Sequence, residues 1–428
     1  MDLEDITQLL AEYEIKFIRL AFCDISGRQK NIAIMADELE HAVTHGVSFD
    51  ASAIRGFLNI NESDLLLFPD LSTFSVLPWR PADRAVARFY CFITYPDRRP
   101  FEGDGRRLLA DIEKKSGGDG YSFLVGPECE FYLFETDDKG NPALVPFDEA
   151  GYFDMAPLDR GENVRREICF ALEDMGLKPE RSHHEHGPGQ NEIDFRCSSP
   201  LKAADDLMTF KTAVKAIAQQ HGLFASFLPK PLKNESGSGL HIKLSLYEDN
   251  ENLFEKQDSK AMSFMAGVLR RMREMTAFAN PLVSSYERFG QFEAPSAVSW
   301  SHQNRSTLVR IPYAEGHDCR MEVRSPDPAA NPYLLISLLI SAGMSGIADG
   351  LAAEPEATGD VHSFPPSKRL PASLAEALAE AGRSGFVRQV IPERIVNGYV
   401  EDRAAEIAEY DASGADHDCL FRRYLRII

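Results

Sequence analysis

Polar and apolar side chains alternate through Val125–Glu135, which reads VGPECEFYLFE. This alternation, in a stretch rich in aromatic residues, predicts a β-strand. Successive side chains of a strand point to opposite faces, so Glu128 and Glu130 share one face while Phe131 and Leu133 share the other. Two adjacent carboxylates repel each other unless a basic group, a shared proton or a divalent cation neutralises them. Taken alone, the stretch also fits a strand with a solvated outer face.

Three further stretches alternate in the same way, and each predicts a strand with one polar face. Their polar residues are Glu192, Asp194 and Arg196, then His241, Lys243 and Ser245, and finally Arg320, Glu322 and Arg324. If the four polar faces converge in one curved sheet, they line a pocket that contains Glu128, Glu130, Glu192, His241 and Glu322, with Glu185 from a neighbouring loop. Burying so many carboxylates without compensation is costly, so such a pocket predicts a bound cation.

The residue types of this pocket limit its chemistry. Several carboxylates with a single imidazole suit Mg²⁺ or Mn²⁺ better than zinc, which prefers Cys and His. Four arginines would stand opposite the acids and could hold phosphate or carboxylate through paired hydrogen bonds; they are Arg288, Arg305, Arg310 and Arg324. Enzymes that transfer phosphoryl groups typically combine divalent metal ions with arginines. The chain has neither GxxxxGK[ST] nor GxGxxG, so P-loop and Rossmann nucleotide sites are not indicated.

Length and local composition predict two domains, because 428 residues are too many for one ordinary core. Short helices and strands alternate up to residue 100, which predicts a small α+β domain with a loop at Phe49–Ile54. Pro96–Gly105 is rich in turn-forming and charged residues, and we place the boundary there. The predicted domains are therefore 1–100 and 101–428. In the larger one, helices are expected near 106–115, 163–175, 203–221, 262–278, 332–351 and beyond 371.

Charge and cysteine content restrict the partners and the compartment. The 46 basic and 66 acidic residues give a net charge of −20, which disfavours nucleic acid and anionic membranes as main partners. The seven cysteines are scattered and form no CxxC pair, which suits free thiols in a reducing compartment. The longest apolar stretch is too short and too interrupted to span a bilayer. We therefore expect a cytoplasmic protein that acts on small molecules.

Five longer motifs follow one another along the chain. They are GPECEFYLF from Gly126, HEHGPGQNEID from His184, GSGLH from Gly237, NRSTLVRIP from Asn304 and RMEVRSPDPAANPY from Arg320. Together they resemble glutamine synthetase of the prokaryotic type, and the resemblance runs from about residue 5 to about residue 380. Five motifs in the right order make this resemblance highly specific.

The resemblance implies an α+β fold: a small N-terminal β-grasp-like domain and a large catalytic domain with a curved antiparallel sheet flanked by helices. It also implies a homo-oligomer, a dodecamer of two stacked hexamers with active sites between the small domain of one subunit and the large domain of the next. The implied reaction is ATP-dependent ligation of ammonia to the γ-carboxylate of L-glutamate through γ-glutamyl phosphate, which yields glutamine, ADP and phosphate.

The same resemblance implies a role for each site residue. One divalent metal would be held by Glu130, Glu185 and Glu192, and the other by Glu128, His241 and Glu322. Arg305 and Arg310 would face the transferred phosphate, and Arg288 and Arg324 would face the substrate carboxylates. Gly237, His241 and Tyr152 would also contact the substrates. Ser245 and Arg310 would contact the nucleotide. The ammonium ion would be bound and deprotonated by Asp50 of the neighbouring subunit with Glu185, Tyr152 and Glu293. Glu293, which lies on a flap, would also shield the intermediate from water.

The sequence departs from the family pattern at several places. Ala53 replaces a usual serine in the ammonium loop, Ser236 replaces a usual asparagine, and the flap Tyr286–Pro295 is one residue short. Residues 355–372 contain no tyrosine like the one adenylylated in some relatives. These departures leave two alternatives open. One is a ligase that joins glutamate to a larger amine such as a polyamine, ethanolamine or methylamine; the other is a catalytically silent paralogue.

Overall fold

The computed structural model describes residues 1–60, 63–359, 361, 364–414 and 423–425. The sequence also predicts an amphipathic segment at Cys419–Ile428, which lies largely outside these residues. The described chain forms one six-stranded sheet near the N-terminus and one ten-stranded sheet that carries most of the helices. The predicted α+β class is confirmed.

The N-terminal sheet has the strand order β2-β1-β6-β4-β3, and β5 pairs with β6. Its strands are β1 (Phe17–Cys23), β2 (Gln29–Met35), β3 (Val47–Asp50), β4 (Asp64–Pro69), β5 (Ser75–Val76) and β6 (Val86–Thr94). The helices beside it are α1 (Leu3–Glu12) and α2 (Leu39–His45). The central pair β1 and β6 is parallel, and the other pairs are antiparallel.

The structure corrects the prediction of a loop at Phe49–Ile54. Phe49 and Asp50 end strand β3, which pairs with β4 at the edge of the sheet, and a short 3₁₀ turn at Ala51–Ala53 follows. Neither strand was predicted. β3 has only four residues, and β4 carries the run Leu65–Leu67 instead of a clear alternation. Short strands of this kind depend on hydrogen bonds to a distant partner, which a local pattern does not reveal.

The large sheet has the strand order β14-β15-β16-β12-β7-β10-β9, with β8 and β11 paired to β7 and β13 to β12. Its first strands are β7 (Tyr121–Thr136), β8 (Pro142–Pro146), β9 (Pro179–His184), β10 (Gln190–Phe195) and β11 (Leu223–Ser226). The others are β12 (Leu240–Glu248), β13 (Glu251–Asn252), β14 (Trp300–Ser301), β15 (Val309–Arg310) and β16 (Met321–Val323). The expected antiparallel sheet is in fact mixed, because the chain crosses over between β14 and β15 and pairs them in parallel.

Helices cover one face of this sheet. The helices are α3 (Gly105–Gly118), α4 (Glu162–Asp174), α5 (Pro200–Gln220), α6 (Ser259–Ala279), α7 (Pro332–Ala348), α8 (Leu374–Arg383), α9 (Gly385–Val390) and α10 (Glu393–Ala412). Helices α3, α4 and α5 contact the strands directly, whereas α8, α9 and α10 pack on α6, on α7 and on one another. Helices α6 and α7 touch at glycine: a Cβ on Gly267 would lie 2.2 Å from the carbonyl oxygen of Ala342. Among the described residues, no helix combines the length and apolar character needed to cross a membrane.

The covered face fixes the orientation of the other one. Phe131 of β7 is fully buried, with its ring centroid 5.9 Å from that of Phe210 in α5 and 5.8 Å from that of Phe227. Burial of these apolar side chains is the main driving force that holds α5 on the sheet. Because side chains alternate along β7, Glu128 and Glu130 must point to the uncovered face.

Candidate active site

Three rows of directly paired residues cross the uncovered face of the large sheet. The first row is His183, Glu192 and Glu130. The second row is Arg181, Asp194, Glu128 and His241. The third row is Gly126, Lys243, Glu322 and Arg310. Paired residues have Cβ atoms about 5 Å apart, and rows two residues apart are separated by about 6.6 Å, so each charged group lies within reach of several others.

Apart from Gly126 and Lys243, the residues of these rows form the floor of a cavity of about 540 Å³. The cavity wall comes from the loop around Tyr152, from Ser236 and Gly237, and from the segment Arg288–Ala294. Every residue to which the resemblance assigns a role lines this cavity, apart from Asp50 and Ser245. The polar faces of four strands therefore converge, which was the condition for the pocket predicted from the sequence.

One candidate metal site consists of Glu128, His241 and Glu322. Each of these residues offers one ligand atom, and the three atoms lie within 4.8 Å of one another. Nδ1 of His241 is 3.4 Å from Oε2 of Glu128 and 3.5 Å from Oε1 of Glu322. This group also contains resident cations. Nη1 of Arg324 donates to Oε1 of Glu322 at 2.5 Å, and the Lys243 ammonium contacts Oε1 of Glu128.

The second group of acids has a different environment. Ligand atoms of His183, Glu185 and Glu192 lie within 4.8 Å of one another, whereas Glu130, which pairs with Glu192 on the side away from His183, is not part of this cluster. The Oε2 atom of Glu130 accepts hydrogen bonds from Nε2 of Gln190 at 2.8 Å and from the backbone N–H of Gly239 at 2.9 Å. Both groups that donate to Glu130 are neutral, so they compensate little of the negative charge of this carboxylate.

The acid pKa values record that difference. Burial, followed by the charge of Glu130, raises the pKa of Glu185 to about 8. Burial and the adjacent Asp194 also raise the pKa of Glu192 well above its usual value. Burial acts in the same direction on Glu128, but His241 and Lys243 outweigh it and hold the pKa of Glu128 well below the usual range. Like charges are crowded in one half of the floor and neutralised in the other.

The floor is chemically suited to a divalent cation. Asp194 is 2% exposed, and its Oδ1 atom is buried without a hydrogen-bond partner among the described residues. Its other oxygen accepts from Nε of Arg181 at 3.1 Å. An unsatisfied buried carboxylate oxygen is unfavourable unless a cation or an ordered donor approaches it. The many oxygens and few imidazoles match the preferences of Mg²⁺ and Mn²⁺.

Arginines stand over this floor on the side of β15 and β16. Nη1 of Arg310 is 3.5 Å from Oε2 of Glu322. Glu293, whose side chain is 49% exposed, reaches over the same area, with Oε2 at 3.6 Å from Nη2 of Arg324 and 3.9 Å from Nη1 of Arg305. The flap residue thus lies beside the arginines.

One wall of the cavity is built around Gly237. A Cβ at this position would lie 2.4 Å from Cγ of Arg288 and 2.5 Å from the carbonyl oxygen of Pro229, so only glycine fits. Nη1 of Arg288 donates to the carbonyl oxygen of Ser325 at 3.1 Å, which fixes the buried guanidinium. The hydroxyl of Ser236 donates to Oε1 of Gln190, the residue that also binds Glu130. Ser236 is therefore an indirect support of the acidic floor.

The wall opposite is aromatic. The ring of Tyr152 stacks on Phe153, with ring centroids 3.9 Å apart, and on His186, with centroids 4.4 Å apart. Glu185 lies beneath this stack and is 3.2 Å from Nδ1 of His186. An aromatic face above a carboxylate offers two features that attract a cation.

Two residues with implied roles lie elsewhere. Ser245 is 2% exposed and donates to the carbonyl oxygen of Cys319 at 3.0 Å, so its hydroxyl supports the strand pair behind the cavity. Asp50 lies on the exposed edge strand β3 of the small domain. Its Oδ1 accepts from the hydroxyl of Ser52 at 2.6 Å and from the backbone N–H of Ser52 at 2.9 Å, and these bonds lower the pKa of Asp50.

The structure adds residues to which no role was assigned from the sequence. They are Asp194, Arg181, Lys243, His183, Gln190 and Arg320, all of which line the cavity or contact its acids. Alternation placed Asp194 with Glu192 and Lys243 with His241, so that signal was present. The register that sets Lys243 against Glu128 was not, because it depends on pairing between distant strands.

Comparisons with known proteins agree with this geometry. Residues 102–424 match the family model described as "Glutamine synthetase, catalytic domain", and residues 14–96 match "Glutamine synthetase, beta-Grasp domain". The chain is 43% identical over 436 residues to a glutamine synthetase of Clostridium saccharobutylicum, with 99% of this chain and 98% of the relative covered. It is 44% identical over 441 residues to a glutamine synthetase of Methanosarcina mazei, with the same coverage.

Solved structures show the same fold. A complex of GmaS with ADP superimposes with a TM-score of 0.88 at 28% identity, and 99% of each chain is covered. Glutamine synthetase of Plasmodium falciparum gives a TM-score of 0.84 at 22% identity, covering 96% of this chain and 97% of that one.

Fold and site together are those of an enzyme, and the acids of the cavity form candidate sites for divalent metals. The chain belongs to the glutamine synthetase family. It is therefore a ligase of that family, and the predicted family membership is confirmed.

Proposed function

We propose that the enzyme joins ammonia to the γ-carboxylate of L-glutamate at the expense of ATP and releases glutamine, ADP and phosphate. The observation that carries this proposal is the single cavity in which two groups of acids face Arg305, Arg310 and Arg324. A site that activates a carboxylate by phosphorylation needs both components. The match to glutamine synthetases over nearly the whole chain supports the same choice of reaction.

The floor would hold Mg²⁺ or Mn²⁺ at both acidic groups. Glu128, His241 and Glu322 would bind one ion, and Glu185 and Glu192 with Glu130 or His183 the other. Bound divalent ions would stabilise the negative charge of the phosphates during transfer. A second cavity of about 490 Å³ shares Arg310, Pro312, Tyr313 and Arg320 with the first and offers room for the nucleoside of ATP.

The first step transfers phosphate to glutamate. An oxygen of the γ-carboxylate attacks the γ-phosphorus of ATP, the bond to the bridging β,γ-oxygen breaks, and ADP leaves with that electron pair. Arg310 and Arg305 line the cavity where this charge develops. Glycine at 237 leaves space beside Arg288 for the amino-acid part of glutamate, whose carboxylate suits the planar guanidinium groups.

The second step forms the amide. Ammonium first gives a proton to a carboxylate, because only the neutral amine is nucleophilic. The nitrogen then attacks the acyl carbon, the bond to the phosphate oxygen breaks, and the second surplus proton leaves with inorganic phosphate. Glu185 beneath the Tyr152 ring, with Glu293 on the flap, forms the part of the cation site that this chain supplies to its own cavity.

Asp50 would complete that cation site from another subunit. It is exposed on an edge strand of the small domain and does not line the cavity of its own chain. We therefore propose a homo-oligomer, two stacked hexamers, in which Asp50 of the partner subunit closes the cavity. Co-assembly of Asp50→Asn and Glu130→Gln subunits tests this: random mixing should restore about one quarter of wild-type activity, because only a shared site combines two intact halves. No restored activity would contradict a shared site.

A second candidate is ligation of a larger amine, such as methylamine, ethanolamine or a polyamine, to glutamate. One observation favours it: Ala53 carries no hydroxyl beside Asp50. Loss of a polar group near the acceptor leaves room for an alkyl substituent on the amine.

Phosphate release from ATP and glutamate distinguishes these candidates when the amine is varied. We expect ammonia to give the highest kcat/KM and the amine-free control to give none above background. If methylamine supports turnover and ammonia does not exceed the control, the amine ligase is the correct function. Absence of turnover with every amine, in protein that binds Mn²⁺ and ATP, would indicate the catalytically silent paralogue.

A further inference from the structure

Lys243 is a buried lysine whose ammonium contacts a proposed metal ligand. It lies on β12 and is 2% exposed, and its Nζ contacts Oε1 of Glu128. Its Cδ packs against the residue opposite, Gly126, where a Cβ would lie 3.6 Å from Cδ of Lys243, an ordinary van der Waals contact. The ion pair is thus built into the sheet.

Glu128 is therefore divided between two kinds of partner. Its Oε2 atom is 3.4 Å from Nδ1 of His241, whereas its Oε1 atom contacts Lys243. One Glu128 oxygen lies within 4.8 Å of ligand atoms of His241 and Glu322, and one lies within 4.8 Å of ligand atoms of Glu192 and Asp194. Nη2 of Arg181 lies 3.8 Å from the same Oε1 atom. A divalent ion at the Glu128–His241–Glu322 group must share the charge of Glu128 with an ammonium that cannot move into solvent.

The other acidic group has no such competitor among the described residues that line the cavity floor. Glu130 accepts only from the amide of Gln190 and the backbone of Gly239, and Glu185 is in contact with His183 and His186. Lys243 pairs across the sheet with Gly126 and Glu322, one row further from Glu130 than Glu128 is. Any influence of Lys243 on metal binding should therefore be selective for one site.

We propose that Lys243 is a positioning residue that competes with a divalent ion for Glu128 and so sets the affinity of the Glu128–His241–Glu322 site alone. This proposal rests on the two metal sites of the proposed function. A charge within about 4–6 Å shifts the pKa of a partly buried group by about one unit or more. A comparable effect on a divalent ion is a change of about tenfold in Kd.

Mn²⁺ binding to the full-length protein, without glutamate or nucleotide, tests the proposal. Free Mn²⁺ is measured by electron paramagnetic resonance during titration, and Glu322→Gln and Glu185→Gln assign each class of bound ion to a site. In Lys243→Met we expect the Kd of the Glu322-dependent class to fall about tenfold. The Glu185-dependent class should keep its wild-type Kd.

Three controls separate the charge of Lys243 from its packing. Lys243→Arg keeps a cation and should retain the wild-type Kd at both sites. Lys243→Gln is a second uncharged variant, for use if Lys243→Met does not fold. Lys230→Met removes an equally buried lysine whose Nζ contacts a backbone oxygen and Gln291, and it should change neither class.

The outcomes are distinguishable. An unchanged or higher Kd of the Glu322-dependent class in both uncharged variants would overturn the role of Lys243 and leave the proposed function standing. A decrease at both sites would overturn the selectivity. No saturable Mn²⁺ binding to the wild type would overturn the proposed metal sites and this proposal together.

Discussion

Buried carboxylates occur in two regions of the molecule with opposite environments. At the junction of the small and large domains, Arg106 donates from Nε to Oδ1 of Asp205 at 3.0 Å and from Nη2 to Oδ2 of Asp70 at 2.8 Å. Tyr333 adds a hydrogen bond to Oδ1 of Asp205 at 2.7 Å, and Ser72 binds Oδ1 of Asp70. Each carboxylate oxygen at the junction has a donor within the chain.

The floor of the cavity contains the same residue types without that satisfaction. Asp194 has a buried oxygen without a partner among the described residues, Glu192 lies beside it, and the pKa of Glu185 is raised to about 8. Fixed pairing stabilises the junction, whereas like charges that face each other destabilise the floor until a cation binds. The number of buried acids therefore does not distinguish a structural cluster from a binding site. The hydrogen-bond donors around the acids do.

Replacement of Glu130 by glutamine should produce the largest effect. We expect kcat/KM to fall by about 10²–10³-fold, because the floor loses a charge that the transition state requires. The free energy of unfolding of the metal-free variant should stay equal or rise, because a repulsive charge is removed. The exposed Glu251→Gln, which loses only its surface contact with Lys256, should match the wild type in both measurements. If Glu130→Gln lost stability but kept its activity, the assignment of Glu130 to the active site would be contradicted.

Replacement of Arg106 by methionine tests the other region. Since the buried Asp205 and the partly buried Asp70 lose their cation, the free energy of unfolding in urea should fall by about 3–5 kcal/mol. The matched control is Arg160→Met, because Arg160 is half-exposed and 3.8 Å from Glu135. That variant should lose less than about 1 kcal/mol. Equal effects in the two variants would remove the contrast between junction and surface.

Metal addition should stabilise the floor and leave the junction unchanged. Mn²⁺ at about 100 times its Kd should raise the free energy of unfolding by about 2.7 kcal/mol, because it binds the folded state alone. A chelator should reverse the gain. The increment should persist in Arg106→Met and shrink in Glu192→Gln. An increment that survives Glu192→Gln unchanged would place the bound ion elsewhere.

The pH dependence of the metal-free protein should give a smaller effect. The folded pKa of Glu185, about 8, lies above the value near 4.5 of an unperturbed glutamate, so the folded state binds more protons between these values. Its contribution to stability is therefore full below about pH 4.5 and is lost as pH rises towards 8. Between pH 6 and 8 the loss should be about 2 kcal/mol.

Glu185→Gln controls that prediction, because an amide does not titrate. The variant should lose this part of the pH dependence in urea unfolding. Saturating Mn²⁺ should suppress the dependence in the wild type, because a bound ion keeps Glu185 ionised. A wild-type profile that is flat, or that rises from pH 6 to 8 without metal, would contradict the electrostatic account of the floor.

Much of the fold could be predicted because the relevant signals are local. Strands β7, β10, β12 and β16 were predicted from alternation, and helices α3 to α7 from their apolar periodicity. Strands β3, β4 and β8 were not predicted, and the parallel pairing of β14 with β15 was not expected. Each of these is short or depends on a partner far away in sequence, so its stability comes from cross-strand hydrogen bonds that no local pattern encodes.

The sequence by itself determined which groups share a strand face and which family the chain resembles, because side-chain alternation and motif order are properties of the linear chain. Only the tertiary structure decided which faces meet in register. That register sets Lys243 on Glu128, aligns Asp194 with Arg181, and turns Ser245 towards a carbonyl behind the cavity. The physical reason is that cross-strand register is fixed by hydrogen bonds and packing between separate segments of the chain, while the facing direction of a side chain follows from the strand alone.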